Sequence, residues 1–178
     1  MAYAASKALA FESSKTWMKE HNPTFDLINI LPGYVLGPDE TATDATNLLQ
    51  GSNGSLFYPL VGVPADRPKP GITVHVDDVV LMLMRALDPT IPGNQDFLAT
   101  SHSLNGVQWE ESFDIVKKHY SKECEEGIFE VDTAERPQSA KFLVDSSRAE
   151  TTFGFTFKSF EKQVMDVADQ YLSMKDRK

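Results

Sequence analysis

Cysteine is nearly absent from this chain of 178 residues, and the single Cys124 excludes an intrachain disulfide. Its neighbours Glu123, Glu125 and Glu126 would raise a thiol pKa, which argues against a nucleophilic role. Long apolar runs are also missing. No stretch approaches the roughly 20 apolar residues needed to cross a bilayer. No signal-peptide pattern opens the chain, so no membrane partner is expected and the cytoplasm is the expected compartment. Basic charge is scarce: 17 Lys and Arg stand against 26 Asp and Glu, for a net charge of -9, and the one basic cluster, Lys175-Asp-Arg-Lys178, reads as a solvated tail. Recognition of a phosphate backbone needs clustered cations, so no nucleic-acid partner is expected. The ten glycines are dispersed. The one close polar cluster, Gly51-Ser-Asn-Gly54, has no β-rich run before it and no amphipathic helix after it, and reads as a turn rather than a phosphate cradle.

What is present begins at the first residues. Tyr3-Ala-Ala-Ser-Lys7 places a phenol and an ammonium four positions apart in an alanine-rich stretch that reads as a helix, so both side chains share one face. A phenol has an ordinary pKa near 10, and proton exchange near neutrality requires lowering it by about 4 kcal/mol. A cation about 4 Å away supplies up to roughly that amount at an effective dielectric of about 20. Tyr3 and Lys7 are therefore candidate catalytic residues. The plain alternative is a surface aromatic beside a solvated charge.

Further along, the periodicity predicts a helix over 2–19, a strand over 25–31, and a long polar stretch over 39–70 with one short helix near 43–49. A strand at 72–74 leads into a helix over 77–87, and Pro89 and Pro92 mark a loop. A strand near 97–99 precedes a helix over 106–120. Residues 128–131 and 142–144 read as short strands, and 160–172 as a final helix. This alternation predicts an α/β fold with part of a parallel sheet and a smaller C-terminal lobe.

Other candidates read more plainly. Asp77 and Asp78 sit at a helix start, where carboxylates satisfy free backbone N–H groups, and adjacent residues diverge too far to share a metal. His75 lies in an apolar strand and reads as structural. His21, His102 and His119 have no partner at ligand spacing, so no metal site is expected.

The run from Tyr3 to Lys7, through Phe25-Asp-Leu-Ile-Asn-Ile-Leu31, into Pro32-Gly-Tyr-Val-Leu-Gly-Pro38 resembles the catalytic region of the extended short-chain dehydrogenases/reductases of the NAD-dependent epimerase/dehydratase superfamily. The loop wording is most similar to the branch of dihydroflavonol and cinnamoyl-CoA reductases. Val74-His-Val-Asp-Asp-Val79 resembles that family's strand-to-helix junction. Val144-Asp-Ser-Ser-Arg-Ala149 with Phe153-Gly-Phe155 resembles its penultimate helix and following turn.

The resemblance covers only the C-terminal half of the family, because its Gly-rich N-terminal βαβ, which seats the dinucleotide pyrophosphate, has no counterpart here. It implies the C-terminal part of a Rossmann-like parallel sheet plus a small α/β substrate-binding lobe. Residues 1–38 and 72–100 would be sheet-associated, and 39–71 with 101–178 would form the lobe. It implies reversible hydride transfer between NADP(H), with NAD the alternative, and a small carbonyl or alcohol substrate. Tyr3 would be the proton donor and Lys7 its partner and a ribose ligand, while Pro32, Gly33, Tyr34 and Val35 would face the nicotinamide. Phe57, Tyr58 and Leu60 fall where the family's substrate loop lies and either line a pocket or pack as loop core. Without its cofactor half the chain is expected to be inactive alone, and to dimerise or aggregate through the surface that half would cover. The alternative is a non-catalytic α/β remnant or interaction domain without cofactor binding.

Overall fold

A computed structural model describes residues 2–102 and 104–175; Asp176–Lys178 of the basic tail lie outside the described residues. In chain order the elements are α1 (Ala2–His21), β1 (Ile28–Pro32), β2 (Tyr34–Leu36), α2 (Ala45–Leu48), α3 (Gly51–Leu60), β3 (Lys69–Pro70) and β4 (Thr73–His75). They continue with α4 (Val76–Arg85), β5 (Gln95–Ala99), α5 (Glu111–His119), α6 (Ser121–Glu125), β6 (Ser139–Ala140), α7 (Ser147–Phe153) and α8 (Phe160–Lys175).

The strands pair in parallel, as the alternating element order predicts. β1 runs beside β5 from Ile28↔Gln95 to Pro32↔Ala99, β2 beside β4 from Tyr34↔Thr73 to Leu36↔His75, and β3 beside β6. Among the described residues β1 has no strand on its other edge.

Two apolar clusters hold these layers. One gathers Val74, Met82, Phe97 and Ala99 with Ala149, Phe153 and Phe157, so α7 packs on the β1–β5 pair. Gly154 ends α7 at φ 64, the left-handed cap expected of the Phe153-Gly-Phe155 turn. The larger cluster joins Leu36, Phe57, Leu60, Trp109, Phe113 and Phe129 to Phe160, Val164, Val167 and Ala168 of α8. The α8 residues recur at helical spacing, which is why this face is buried.

Four local expectations are corrected. Gly51-Ser-Asn-Gly54 is the first turn of α3 rather than a free turn. Residues 128–131 form turns that drive Phe129 and Val131 into the core, with Glu130 N–H bonded to Leu60 O at 2.8 Å. Residues 142–144 form no strand, and Phe142 and Leu143 are exposed. The helix expected from 106 begins at Glu111, because Val107 N–H bonds Gly71 O and Trp109 N–H bonds Ser139 Oγ, tying that stretch across to neighbouring strands.

Candidate functional site

Tyr3 and Lys7 lie one turn apart on α1, as their spacing dictates, with Lys7 Nζ 5.5 Å from the centroid of the Tyr3 ring. Tyr3 is 76% exposed, and no described residue of α1 is buried. The helix is joined to the sheet by polar contact: Lys15 Nζ donates to Asp96 Oδ2 at 2.9 Å, and Asn29 Nδ2 donates to Asp96 Oδ1 at 2.8 Å. At its C-terminal end Trp17 stacks on His21 and Phe25.

Pro32 to Val35, read from sequence as a loop, is mostly strand. Pro32 ends β1 and Tyr34 opens β2. Gly33 N–H bonds Ala99 O at 3.1 Å and Tyr34 N–H bonds Ile72 O at 2.7 Å. A Cβ on Gly33 would stand 2.2 Å from Ile72 O, so the glycine is required by the approach of two backbones. Tyr34 meets Trp109 edge to face at 5.2 Å, and Val35 packs against the β1–β5 cluster. Pro32 and Gly33 therefore sit at the C-terminal end of β1, where ligands of such sheets bind, and Tyr34 and Val35 begin the strand that follows.

The three candidates on α3 divide. Phe57 and Leu60 are fully buried, Phe57 against Phe129 and Tyr171, so the packed-core alternative describes them. Tyr58 points the other way and is exposed. With Tyr34, Gly54, Val63, Arg67 and Lys69 it lines a cavity of about 630 Å³, within the usual range for small-molecule sites. That cavity unites Tyr34 with Tyr58, and neither Tyr3 nor Lys7 lines it. The helix that carries Tyr58 escaped sequence reasoning, although Leu49, Asn53, Leu56, Phe57 and Leu60 follow a helical period.

The remaining candidates have structural partners. His75 caps α4: its Nδ1 accepts from Asp77 N–H at 3.0 Å, so the ring proton lies on Nε2 and is donated to Asp166 Oδ2 at 3.0 Å. The cap is thus His75 and not either aspartate. Asp78 is buried and accepts from Lys158 N–H at 2.8 Å and from Lys158 Nζ at 3.3 Å. Burial, reinforced by Asp132 and Glu123, pushes the Cys124 thiol up and away from reactivity. Burial, with a 2.6 Å hydrogen bond to Asp169, likewise pushes the Tyr120 phenol up. Among the described residues no cluster of His, Cys, Asp or Glu could hold a metal ion, and no helix is long and apolar enough to cross a membrane.

The chain's relatives are ketoreductases and NAD-dependent epimerase/dehydratases, and it matches the C-terminal half of their fold. It is 33% identical over 178 residues, 99% of its length, to ketoreductase CTB6 of Cercospora nicotianae, of which it covers 50%. It is 33% identical over 172 residues, 96% of its length, to ketoreductase sphI of Aspergillus fumigatus, of which it covers 49%. More distant relatives include proteins named NAD-dependent epimerase/dehydratase. In fold it is similar to yeast methylglyoxal/isovaleraldehyde reductase Gre2, solved in complex with NADPH, with a TM-score of 0.75 and 18% identity over 99% of this chain and 52% of that one. The chain spans about half the length of the curated relatives it matches. No family model matches it.

Proposed function

We propose that this chain supplies the catalytic helix and the substrate-facing lobe of an NADP(H)-dependent carbonyl reductase, an oxidoreductase acting on a C=O/CH–OH pair. The observation that carries the reading is the ketoreductase similarity along 99% of the chain, which includes a Tyr3-x-x-x-Lys7 pair on one helical face. In this reading 1–38 and 72–100 are sheet-associated and 39–71 with 101–178 form the lobe, except that α7 packs on the sheet.

The residues present fit one end of a dinucleotide. Lys7 would hold ribose hydroxyls, and the segment Pro32, Gly33, Tyr34 and Val35, which follows the C-terminal end of β1, would face the nicotinamide. Among the described residues no Gly-rich strand-turn-helix could hold the pyrophosphate, so that end falls to another part of the protein. When bound, NADPH supplies the hydride. Tyr3 donates its phenolic proton to the carbonyl oxygen as charge builds there, and the Lys7 ammonium stands beside the phenolate that remains. The cavity between Tyr34 and Tyr58, which Tyr3 does not line, would take the apolar or aromatic part of the substrate that extends from the reacting carbonyl.

The test is NADPH oxidation, with a panel of small ketones and aldehydes, by this chain joined behind the dinucleotide-binding half of a ketoreductase relative. Turnover is expected, with Tyr3→Phe at least about 100-fold slower and NADPH affinity nearly unchanged. A hybrid that binds NADPH and turns over none of the panel, or that keeps its rate in Tyr3→Phe, overturns the reading.

A further inference from the structure

We infer that Asn53 is a positioning residue for the segment Pro32–Val35 and acts through Gly37; the inference rests on the proposed role of that segment at the cofactor. Asparagine is a poor residue for a helix, and a buried amide is costly unless both of its ends are paired. Asn53 lies in the first turn of α3, is 8% exposed, and is paired at both ends by one partner. Its Nδ2 donates to Gly37 O at 2.9 Å, and its Oδ1 accepts from Gly37 N–H at 3.2 Å. The side chain thereby stands in for one rung of a strand ladder directly after β2 ends at Leu36.

Gly37 meets this clamp at a position that suits glycine alone. Its φ of 138 belongs to a region that favours glycine, and a Cβ there would come 2.7 Å from Val76 Cγ1 and 3.2 Å from His75 Nε2. The residue is therefore held between α3 on one side and the first residues of α4 on the other. At the opposite end of the segment, Gly33 and Tyr34 are fixed by their backbone bonds to Ala99 and Ile72. Between those anchors and Gly37 lie only Val35 and Leu36. Asn53 thus adds one paired anchor beyond Leu36↔His75, the last pair of the β2–β4 ladder, tightening the second end of the segment, and links it to the helix whose Tyr58 lines the adjoining cavity.

The test is amide exchange and backbone NMR of the chain itself, comparing Asn53→Ala and Asn53→Asp with the parent. In Asn53→Ala the Gly37 amide should exchange at least roughly tenfold faster, and the Gly33, Tyr34 and Val35 amide resonances should shift. Asn53→Asp keeps the acceptor for Gly37 N–H and loses the donor to Gly37 O. Its Gly37 amide should stay protected while the segment's resonances shift part of the way. Unchanged Phe57 and Leu60 amides show that α3 is intact, and if Asn53→Ala does not fold, the Asp variant decides. A Gly37 amide that exchanges as in the parent in Asn53→Ala, or a change confined to Gly37 with Gly33–Val35 unmoved in the folded variants, overturns the inference. Titration of the hybrid enzyme with NADPH tests the cofactor role of the segment separately, so the two failures are distinguishable.

Discussion

Lys15 reaches from α1 to Asp96 on β5, and the same carboxylate accepts from Asn29 on β1, so one side chain joins the candidate catalytic helix to both strands of the pair. No described residue of α1 is fully buried, and this junction and the stacking of Trp17 on Phe25 orient the helix together with the half-buried Phe11 and Met18. The Lys15 hydrogen bond, with Asn29 and Arg148 assisting, holds the Asp96 carboxyl below the usual carboxylate range against the opposing effect of burial.

Asp96→Asn should therefore loosen α1 without unfolding the protein. Amide exchange in α1 should rise by roughly two- to fivefold, the scale of an exposed ion pair, with α5 and α8 unchanged. The pH dependence follows from a carboxyl whose pKa is lower when folded. The contribution is complete above the ordinary carboxylate pKa and is lost as pH falls through the lowered one. Exchange in α1, corrected for intrinsic rates, should be steady down to about pH 5 and accelerate below about pH 4, and the Asn variant should lack that step.

Phe57 and Tyr58 are adjacent in sequence and opposite in consequence. Phe57→Ala should lower stability by about 3–5 kcal/mol, as for other buried phenylalanines, read from the denaturant midpoint. Tyr58→Ala should stay within about 0.5 kcal/mol of the parent while raising KM for an aromatic carbonyl in the hybrid enzyme. Equal destabilisation by both would mean that Tyr58 is core and the cavity beside it is no substrate wall.

His75 makes two bonds that no aliphatic residue can replace, one to the Asp77 amide and one to Asp166. His75→Ala removes a helix cap and leaves a carboxylate that is 15% exposed with one partner fewer. The expected loss is about 2–4 kcal/mol, measured by urea unfolding. Asp166→Asn, which can still accept from Nε2, should cost about 1 kcal/mol or less.

Much of the fold was legible because burial and periodicity agree. The final helix was readable from Phe160, Val164, Val167, Ala168 and Tyr171, all of which are buried. α3 was not, because Gly51, Gly54 and Pro59 are breakers by propensity. The structure gives Gly54 a positional reason that sequence does not display: a Cβ there would meet Leu49 O at 2.1 Å. The stretch 128–131 misled for the converse reason. Its alternating apolar residues fit a strand, yet they reach the core from turns pinned to Leu60 and Glu123. The Tyr3–Lys7 pair was readable as neighbours on a helix. Its relation to the Tyr34–Tyr58 cavity was not, since that depends on how α1 is held against the sheet.

The surface around α1 and β1 leads to the last prediction. Tyr3, Leu9, Trp17 and Phe25 are all exposed, and β1 has no strand beside its outer edge among the described residues. An unpaired strand edge is a template for pairing, and exposed apolar groups near it favour association over a dispersed monomer. The chain on its own should therefore self-associate as its concentration rises, which sedimentation velocity would detect as a growing share of dimer and larger species. Leu9→Glu replaces an exposed apolar side chain with a carboxylate that repels its copy across any symmetric contact. That variant should shift the distribution toward monomer without changing the unfolding free energy by more than about 0.5 kcal/mol. Joining the chain to a dinucleotide-binding half should have the same effect, because a strand beside β1 would close the edge. A parent chain that stays monomeric at high concentration would mean that this face is adequately solvated as it stands, and that α1 does not depend on a further sheet to cover it.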